Sequence, residues 1–275
     1  MACPTGVSVA NHSLVHAPLA HWAQTRAEVV ALDDGHTRLT FADLYAAVSQ
    51  QAQALQHREA PATVCVDDTS STLAQLISFL AIIMSGRCAA VTDPDWPHAV
   101  REQVQAAMTQ DAARLPPPTP HTPFYIGFTS GSTGQPKGFR RHHQSWTESL
   151  RVCLDTFGAD AATRVLAAGR ISHSLFLFGM VLGLWSGAGV VVQARFSAAR
   201  MVDTLQQGHT PCLVAVPSQL LLMLALAERR QTPPIESVRL ILISGARWMR
   251  DRTNDLQALF PKARIVEFYG ASETS

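Results

Sequence analysis

Apolar residues recur along this chain with two alternating patterns. Residues 41–56 place apolar side chains at the spacing of one helix face, whereas short runs such as 212–215 are apolar at every position. Continuously apolar strands that alternate with helices are typical of parallel sheets covered by helices on both faces. The pattern therefore predicts an α/β protein built on parallel β-sheets.

The same patterns predict a helix or a strand for most of the chain. Helices are predicted over residues 18–27, 41–56, 70–86, 99–109, 142–157, 174–185, 197–207, 217–229 and 248–259. Strands are predicted over residues 29–32, 37–40, 62–66, 88–92, 124–128, 164–168, 190–193, 212–215, 239–243 and 263–268. The proline-rich stretch 111–123 reads as a linker between a first subdomain, 1–110, and a second, 124–275.

One apolar run approaches the length of a membrane span. Residues 175–192 carry no charge and are flanked by Arg170 and Arg195, but they contain the turn cluster 186–189. A buried helix, a tight turn and a buried strand explain this run better than a membrane span.

Composition narrows the class of protein further. Hydrophobic residues make up 47% of the chain and charged residues 16%, which favours a well-buried core over disorder. The net charge of +1 gives no reason to expect nucleic acid as a partner. The five cysteines form no C-x-x-C pair, and no signal peptide is evident, so we expect a cytoplasmic location.

The segment richest in candidate ligand-binding residues lies directly after the predicted strand 124–128. The ten residues are Thr129, Ser130, Gly131, Ser132, Thr133, Gly134, Gln135, Pro136, Lys137 and Gly138. Glycines allow a backbone turn whose N–H groups hold an anion, while hydroxyls and one ammonium group can bind phosphate oxygens. The segment predicts polyphosphate binding between a strand and a helix. A flexible surface loop is the alternative, and the ordinary nucleotide P-loop does not fit because Gly138 follows Lys137.

These ten positions closely resemble the phosphate loop of the adenylate-forming superfamily, [ST]-S-G-[ST]-T-G-x-P-K-G. The resemblance implies an acyl- or aryl-CoA-synthetase-like AMP-forming ligase whose parallel sheets and helices form αβαβα layers. It further implies that residues 129–134 and Lys137 bind ATP, that Lys137 is catalytic, and that Thr129 is a ligand of Mg²⁺.

The end of the chain resembles a second element of the same family, Y-G-x-[ST]-E. The matching residues are Tyr269, Gly270, Ala271, Ser272 and Glu273. They follow a predicted strand, and ligands bind at the carboxyl edge of open α/β sheets. The resemblance implies that Tyr269 stacks on adenine, that Ser272 contacts the α-phosphate, and that Glu273 holds Mg²⁺, with Ser272 and Glu273 acting in catalysis.

Two further segments resemble the carboxylate pocket of the family. His173, with Phe178 in the apolar helix that follows, matches a histidine at the mouth of the acyl pocket, although a core or helix-capping histidine is the alternative. Ser244, Gly245 and Ala246 match a turn that lines the pocket, but Arg247 departs from the family's small or acidic residue. The segment 140–143, Arg-Arg-His-His, is read either as a basic patch or as the solvated start of a helix.

The resemblance implies an enzyme that activates a carboxylic acid with ATP and Mg²⁺. The acyl group would then pass to CoA or to the phosphopantetheine of an acyl carrier protein. Such enzymes continue through a C-terminal barrel and a small lid domain that are absent here, so we expect an N-terminal fragment with little activity of its own. A non-catalytic module that binds nucleotide or carboxylate, and an unrelated phosphotransferase, are the alternatives.

Overall fold

A computed structural model describes residues 12–108, 111–130 and 136–270 of the chain. Its strands are β1 (Val30–Asp33), β2 (Arg38–Thr40), β3 (Thr63–Cys65), β4 (Cys88–Ala90), β5 (Pro123–Ser130), β6 (Pro136–His142), β7 (Val165–Ala167), β8 (Val190–Val192), β9 (Cys212–Ala215), β10 (Leu240–Ile243) and β11 (Arg264–Glu267). Its α-helices are α1 (Pro18–Thr25), α2 (Phe41–His57), α3 (Thr72–Met84), α4 (His98–Met108), α5 (His143–Phe157), α6 (Ser174–Trp185), α7 (Ala198–Gln206), α8 (Pro217–Arg230) and α9 (Thr253–Leu259).

The strands form two sheets. The larger has the order β11-β10-β9-β7-β8-β1-β2 and is parallel except for β2, which runs antiparallel to β1. The smaller has the order β3-β4-β5-β6, with β6 antiparallel to β5. Because β1 and β2 lie beside β8, the larger sheet contains strands from both sides of residues 111–123.

Three apolar clusters divide the molecule into layers. On one face of the larger sheet, α7, α8 and α9 bury residues such as Met201, Leu224 and Leu256. The central cluster fills the space between the two sheets and contains α1, α2, α3, α5 and α6. A small third cluster lies on the far face of the smaller sheet, where Met108 of α4 packs. The predicted αβαβα arrangement is confirmed.

Local sequence signals explain several of the helix ends. Thr40 and Asp43 form a capping box at the start of α2, and Ser71 caps α3 by accepting the backbone N–H of Ala74 at 3.2 Å. Helix α8 begins with Pro217, whose missing N–H costs nothing at a first helical position.

The apolar run 175–192 is a helix, a turn and a strand, as predicted. Helix α6 ends at Trp185, and Gly189 has a φ of +85° just before β8. A Cβ at Gly189 would collide with the carbonyl oxygen of Val30, so only glycine allows β8 to lie against β1. In the part of the chain that the structure describes, no helix is long and apolar enough to cross a membrane.

The prediction that the phosphate loop joins a strand to a helix is wrong. Residues 136–142 form strand β6, which pairs with β5 so that Thr129 lies opposite Lys137. Strands β5 and β6 therefore form an antiparallel hairpin, and α5 starts only after β6. Nor do residues 140–143 all form the solvated start of a helix. Residues 140–142 end β6, with Arg141 buried between the exposed Arg140 and His142, and α5 begins at the buried His143.

Candidate active site

Lys137 and Thr129 occupy facing positions on the β5–β6 hairpin. Directly opposite residues of an antiparallel pair have Cβ atoms about 5 Å apart and project to one face. Lys137 is exposed, so this rung of the hairpin presents an ammonium group and a hydroxyl together, a combination that suits a phosphate group. The predicted loop residues Gly131, Ser132, Thr133 and Gly134 lie outside the described residues, and of Ser130 only the backbone, in β5, is described.

The turn after β4 packs beside this hairpin. The Trp96 ring meets the Phe128 ring edge-on, with centroids 5.2 Å apart, so the turn lies against β5 just before the loop.

Side chains of the same turn bind the segment between β7 and α6. Arg170 donates a hydrogen bond to Asp93 at 3.1 Å and another to Asp95, and Ser172 Oγ donates to Asp93 at 3.0 Å. The hydrogen bond from Arg170 to Asp95, with the charge of both carboxylates, raises the pKa of Arg170 above its usual range. The cluster ties the carboxyl ends of the two sheets together.

His173 lies at the edge of that cluster. It occupies the N-cap position of α6 with 63% of its side chain exposed, and its Nε2 is 4.0 Å from Asp93 Oδ2. The side chain makes no capping hydrogen bond to the helix, so the capping alternative does not hold. His173 does not line the cavity described next; its neighbour Ser174 does.

A cavity of about 580 Å³ lies between α5, the start of α6 and the carboxyl ends of β10 and β11. It is lined by Trp146, Glu148, Ser149, Val152, Cys153, Thr156, Phe157, Ser174, Leu175, Phe178, Leu242, Ser244, Phe268, Tyr269 and Gly270. The predicted pocket residues Phe178 and Ser244 therefore share one cavity with the predicted nucleotide residues Tyr269 and Gly270. Gly245 and Ala246 follow Ser244 in the turn but do not line the cavity.

The turn after β10 is held against β11 by backbone and side-chain contacts. Gly245 has a φ of +88°, a conformation that favours glycine, and a Cβ added there would lie 3.1 Å from Val216 Cγ1. The backbone N–H of Trp248 donates to Glu267 at 2.7 Å. These contacts fix Ser244 beside the end of β11, where Tyr269 is 95% exposed.

Sequence reasoning missed the contribution of α5 to this cavity. The helix buries Trp146, Leu150 and Cys153 along one stripe, yet Val152, off that stripe, is 62% exposed. An apolar residue outside the buried stripe of an amphipathic helix was the signal that could have indicated a second, ligand-facing surface. Burial raises the pKa of the Cys153 thiol to about 11, so this cysteine is an apolar wall residue and not a nucleophile.

The predicted metal ligands are only partly described. Thr129 lies in β5, whereas Ser272 and Glu273, with Ala271, lie outside the described residues. Within residues 12–108, 111–130 and 136–270 no group of three His, Cys, Asp or Glu side chains could hold a metal ion. A hydroxyl such as that of Thr129 is a suitable oxygen donor for Mg²⁺, which takes few protein ligands when phosphates are bound.

The curated proteins that this chain resembles include an acyl-CoA ligase and a pyochelin synthetase. It is 34% identical over 241 residues to the uncharacterized acyl-CoA ligase YhfT of Bacillus subtilis (strain 168), covering 86% of this chain and 48% of that protein. It is 32% identical over 167 residues to the pyochelin synthetase PchE of Pseudomonas aeruginosa (strain UCBPP-PA14), covering 58% of this chain and 12% of that one. The chain thus spans about half the length, or less, of these relatives.

Solved structures match the fold. The nonribosomal peptide synthetase FmoA3 in its AMPPNP-bound form has a TM-score of 0.80 at 21% identity, covering 94% of this chain and 31% of that one. VinN in complex with L-aspartate has a TM-score of 0.77 at 18% identity, covering 94% of this chain and 76% of that one. At these identities the likeness concerns the fold alone.

A family model described as AMP-binding enzyme matches residues 98–275, which include the β5–β6 hairpin, the cavity and the end of β11. Together with the acyl-CoA ligase relative and the fold, this match shows that the chain belongs to the AMP-binding enzyme family, part of the adenylate-forming superfamily.

Proposed function

We propose that this chain carries the nucleotide and carboxylate sites of an AMP-forming carboxylate ligase. The observation that supports it best is the shared cavity, which brings Phe178 and Ser244 to the same space as Tyr269 and Gly270. A carboxylic acid whose organic group fills the cavity would have its carboxylate at the carboxyl edge of the sheet, beside the base-stacking Tyr269. Such an arrangement aligns the two reactants for attack on the α-phosphorus of ATP.

The residues of this chain would position ATP and neutralise charge. Lys137 and the hydroxyl of Thr129 would bind phosphate oxygens from one rung of the hairpin, and the exposed ring of Tyr269 offers a face to adenine. Ser272 would fix the α-phosphate. Thr129 and Glu273 would hold Mg²⁺, which when bound neutralises phosphate charge.

The lining of the cavity favours an aliphatic or aryl carboxylic acid over an amino acid. Among the described residues that line it, Glu148 is the one charged group, and its carboxylate is already paired with Arg151. No free carboxylate in that lining is available for an α-ammonium group, and an apolar cavity with a few polar groups suits an apolar acid. The acceptor of the acyl group would be a thiol, either that of CoA or that of a carrier protein. His173, the neighbour of the lining residue Ser174, would stand at the mouth of the pocket.

Binding and exchange measurements test the proposal together. We expect calorimetry to show that the chain binds both ATP·Mg²⁺ and an apolar carboxylic acid, and we expect slow but carboxylate-dependent exchange of pyrophosphate into ATP. Binding without exchange would favour the non-catalytic binding module, and binding of neither ligand would overturn the proposal. Preference for a free amino acid over the matching deaminated acid would overturn the assignment of the substrate class.

Lys137 provides the sharpest single test of the nucleotide site. Lys137→Ala should weaken ATP·Mg²⁺ binding about tenfold or more, because a hydrogen bond to a charged group contributes roughly 1.5–3 kcal/mol. Lys262→Ala is the matched control, since the Lys262 ammonium group is paired with Glu236 at 2.6 Å on the surface. Equal ATP affinity in the Lys137 variant and the control would remove the hairpin from the nucleotide site.

A further inference from the structure

The cavity has an end that lies away from the nucleotide residues. Tyr269 and Ser244 line it where β10 and β11 finish, whereas Thr156 and Phe157 line it at the last turn of α5. Helix α5 stops there, because its C-cap Gly158 has a φ of +57° and the chain turns away. No further turn of α5 therefore extends the wall beyond Phe157.

One side chain crosses from β11 to this last turn. Arg264 donates a hydrogen bond to the carbonyl oxygen of Thr156 at 3.2 Å, and its guanidinium carbon lies 4.9 Å from the centroid of the Phe157 ring. Alternate residues of a strand share a face, so Arg264 lies on the same face of β11 as Val266 and Phe268. Val266 packs against the central cluster and Phe268 lines the cavity. Arg264, the first residue of β11, therefore lies beside the end of the cavity that is opposite Tyr269.

We propose that Arg264 sets the length limit of the acyl group by holding Phe157 across the end of the cavity. The inference rests on the proposed function, in which this cavity holds the organic group of a carboxylic acid. Arg264 is a positioning residue: it touches neither the acid nor ATP and acts through the ring that it covers. A planar guanidinium over an aromatic face is attracted to it, and its hydrogen bond to the helix end fixes the angle of approach.

Without that contact the ring is free to swing toward solvent. Phe157 is half-buried and Arg264 is exposed, so space beyond the ring leads to water and not into the core. The alkyl group of a longer acid would then extend through the opened end of the cavity. Because exposed contacts of this kind contribute little to stability, variants at Arg264 should remain folded.

The test is a series of unbranched fatty acids of increasing length, with binding measured by calorimetry on the full 275-residue chain. The wild-type protein should gain about fourfold in affinity per added methylene up to a limiting length, and then gain nothing. Arg264→Ala and Phe157→Ala should each move that limit by two or more carbons. The double variant should have the same limit as Phe157→Ala, because both changes open one exit.

Arg252→Ala is the matched control, since Arg252 is a partly exposed arginine that is paired with Asp255 at 2.6 Å and does not line the cavity. Affinity for acids shorter than the limit should stay the same in Arg264→Ala and in Arg252→Ala, neither of which removes a lining residue, whereas a general loss of structure would weaken every length. If short acids bind and the limit does not move in Arg264→Ala, the inference is overturned while the proposed function stands. If no carboxylic acid of any length binds the wild-type chain, both are overturned.

Discussion

The half-buried His16 and the buried His143 attach the N-terminal segment to the start of α5 without carrying charge. The backbone N–H of Val15 donates to His143 Nδ1 at 3.1 Å, and the His16 ring meets the His143 ring at 5.6 Å. His143 also stacks on Phe124 at 4.9 Å. Burial lowers the pKa of His16 to about 4 and, together with the nearby His16 and His142, that of His143 to about 3.

These lowered pKa values make stability depend on pH in a defined direction. Between about pH 6.5 and 4 the unfolded chain takes up a proton on His16 and the folded chain does not, so the free energy of unfolding falls as the pH falls. The slope from one such group is at most about 1.4 kcal/mol per pH unit. His16→Phe should flatten the dependence in this window, as measured by urea denaturation at a series of pH values. A slope as steep as that of the wild type would show that His16 is already protonated in the folded state.

At the residue scale, spacing in the sequence explains little about these groups. His12 and His16 stand at the spacing of one helix face, which predicts no partner for either ring. The ring that His16 contacts belongs to His143, which is far from it in the sequence. Only the tertiary packing brings the pair together, and periodicity carries no information about it.

At the scale of elements, β6 is the strand that the pattern of apolar residues does not predict. Its residues, Pro-Lys-Gly-Phe-Arg-Arg-His, are mostly polar or breakers of regular structure, so intrinsic strand preference is low. It forms because the preceding strand β5 offers backbone partners along its whole length and because β6 lies at the edge of its sheet, where polar residues and proline are tolerated.

The alternation along β6 distinguishes two neighbouring arginines. Arg141 is 8% exposed and its burial lowers its pKa, whereas Arg140 is exposed. Arg141→Ala should reduce the free energy of unfolding by about 1–2 kcal/mol, through lost packing of the aliphatic stem. Arg140→Ala should change it by less than about 0.5 kcal/mol. Denaturant titration of both variants checks this, and equal effects would contradict the strand alternation.

At the scale of the whole molecule, Asp33 joins segments that are far apart in the sequence. Its carboxylate accepts hydrogen bonds from Arg38 at 3.0 Å, from Arg164 at 3.4 Å and from the backbone N–H of Gly35 at 2.8 Å. Asp33 is 6% exposed, and Arg164 directly precedes β7. The group therefore holds the β1–β2 hairpin to the middle of the larger sheet.

Removing this carboxylate should cost more than removing one on the surface. Asp33→Ala leaves the partly buried Arg164 guanidinium without its carboxylate, so the free energy of unfolding should fall by at least about 2 kcal/mol. Asp203→Ala, which breaks the exposed pair with Arg230, should cost less than about 1 kcal/mol. Thermal or urea denaturation compares the two, and a similar small loss for both would show that the hairpin is held by its apolar contacts alone.

Apart from β6, the order of helices and strands could be predicted because each of the other elements carries its own pattern of apolar residues. The order of strands within the sheets could not be predicted, since the apolar run of β8 contains no signal that it pairs with β7 and β1. The cavity was equally hidden. It exists because α5 stands away from β10 and β11, a distance set by packing and not by any motif, although the motif residues Phe178, Ser244 and Tyr269 that line it were predicted.

The position of β1 beside β8 has a consequence for how the protein is made. Leu32 pairs with Val190, so the β1–β2 hairpin leaves the ribosome long before the strand that covers its inner edge has been synthesised. At ~5–20 residues per second, that delay lasts roughly ten to thirty seconds. During this interval Ala31 and Leu32, fully buried in the finished sheet, face solvent on an unpaired edge. The nascent chain should therefore engage chaperones that bind exposed apolar strands, and their hold should weaken once residue 192 has emerged.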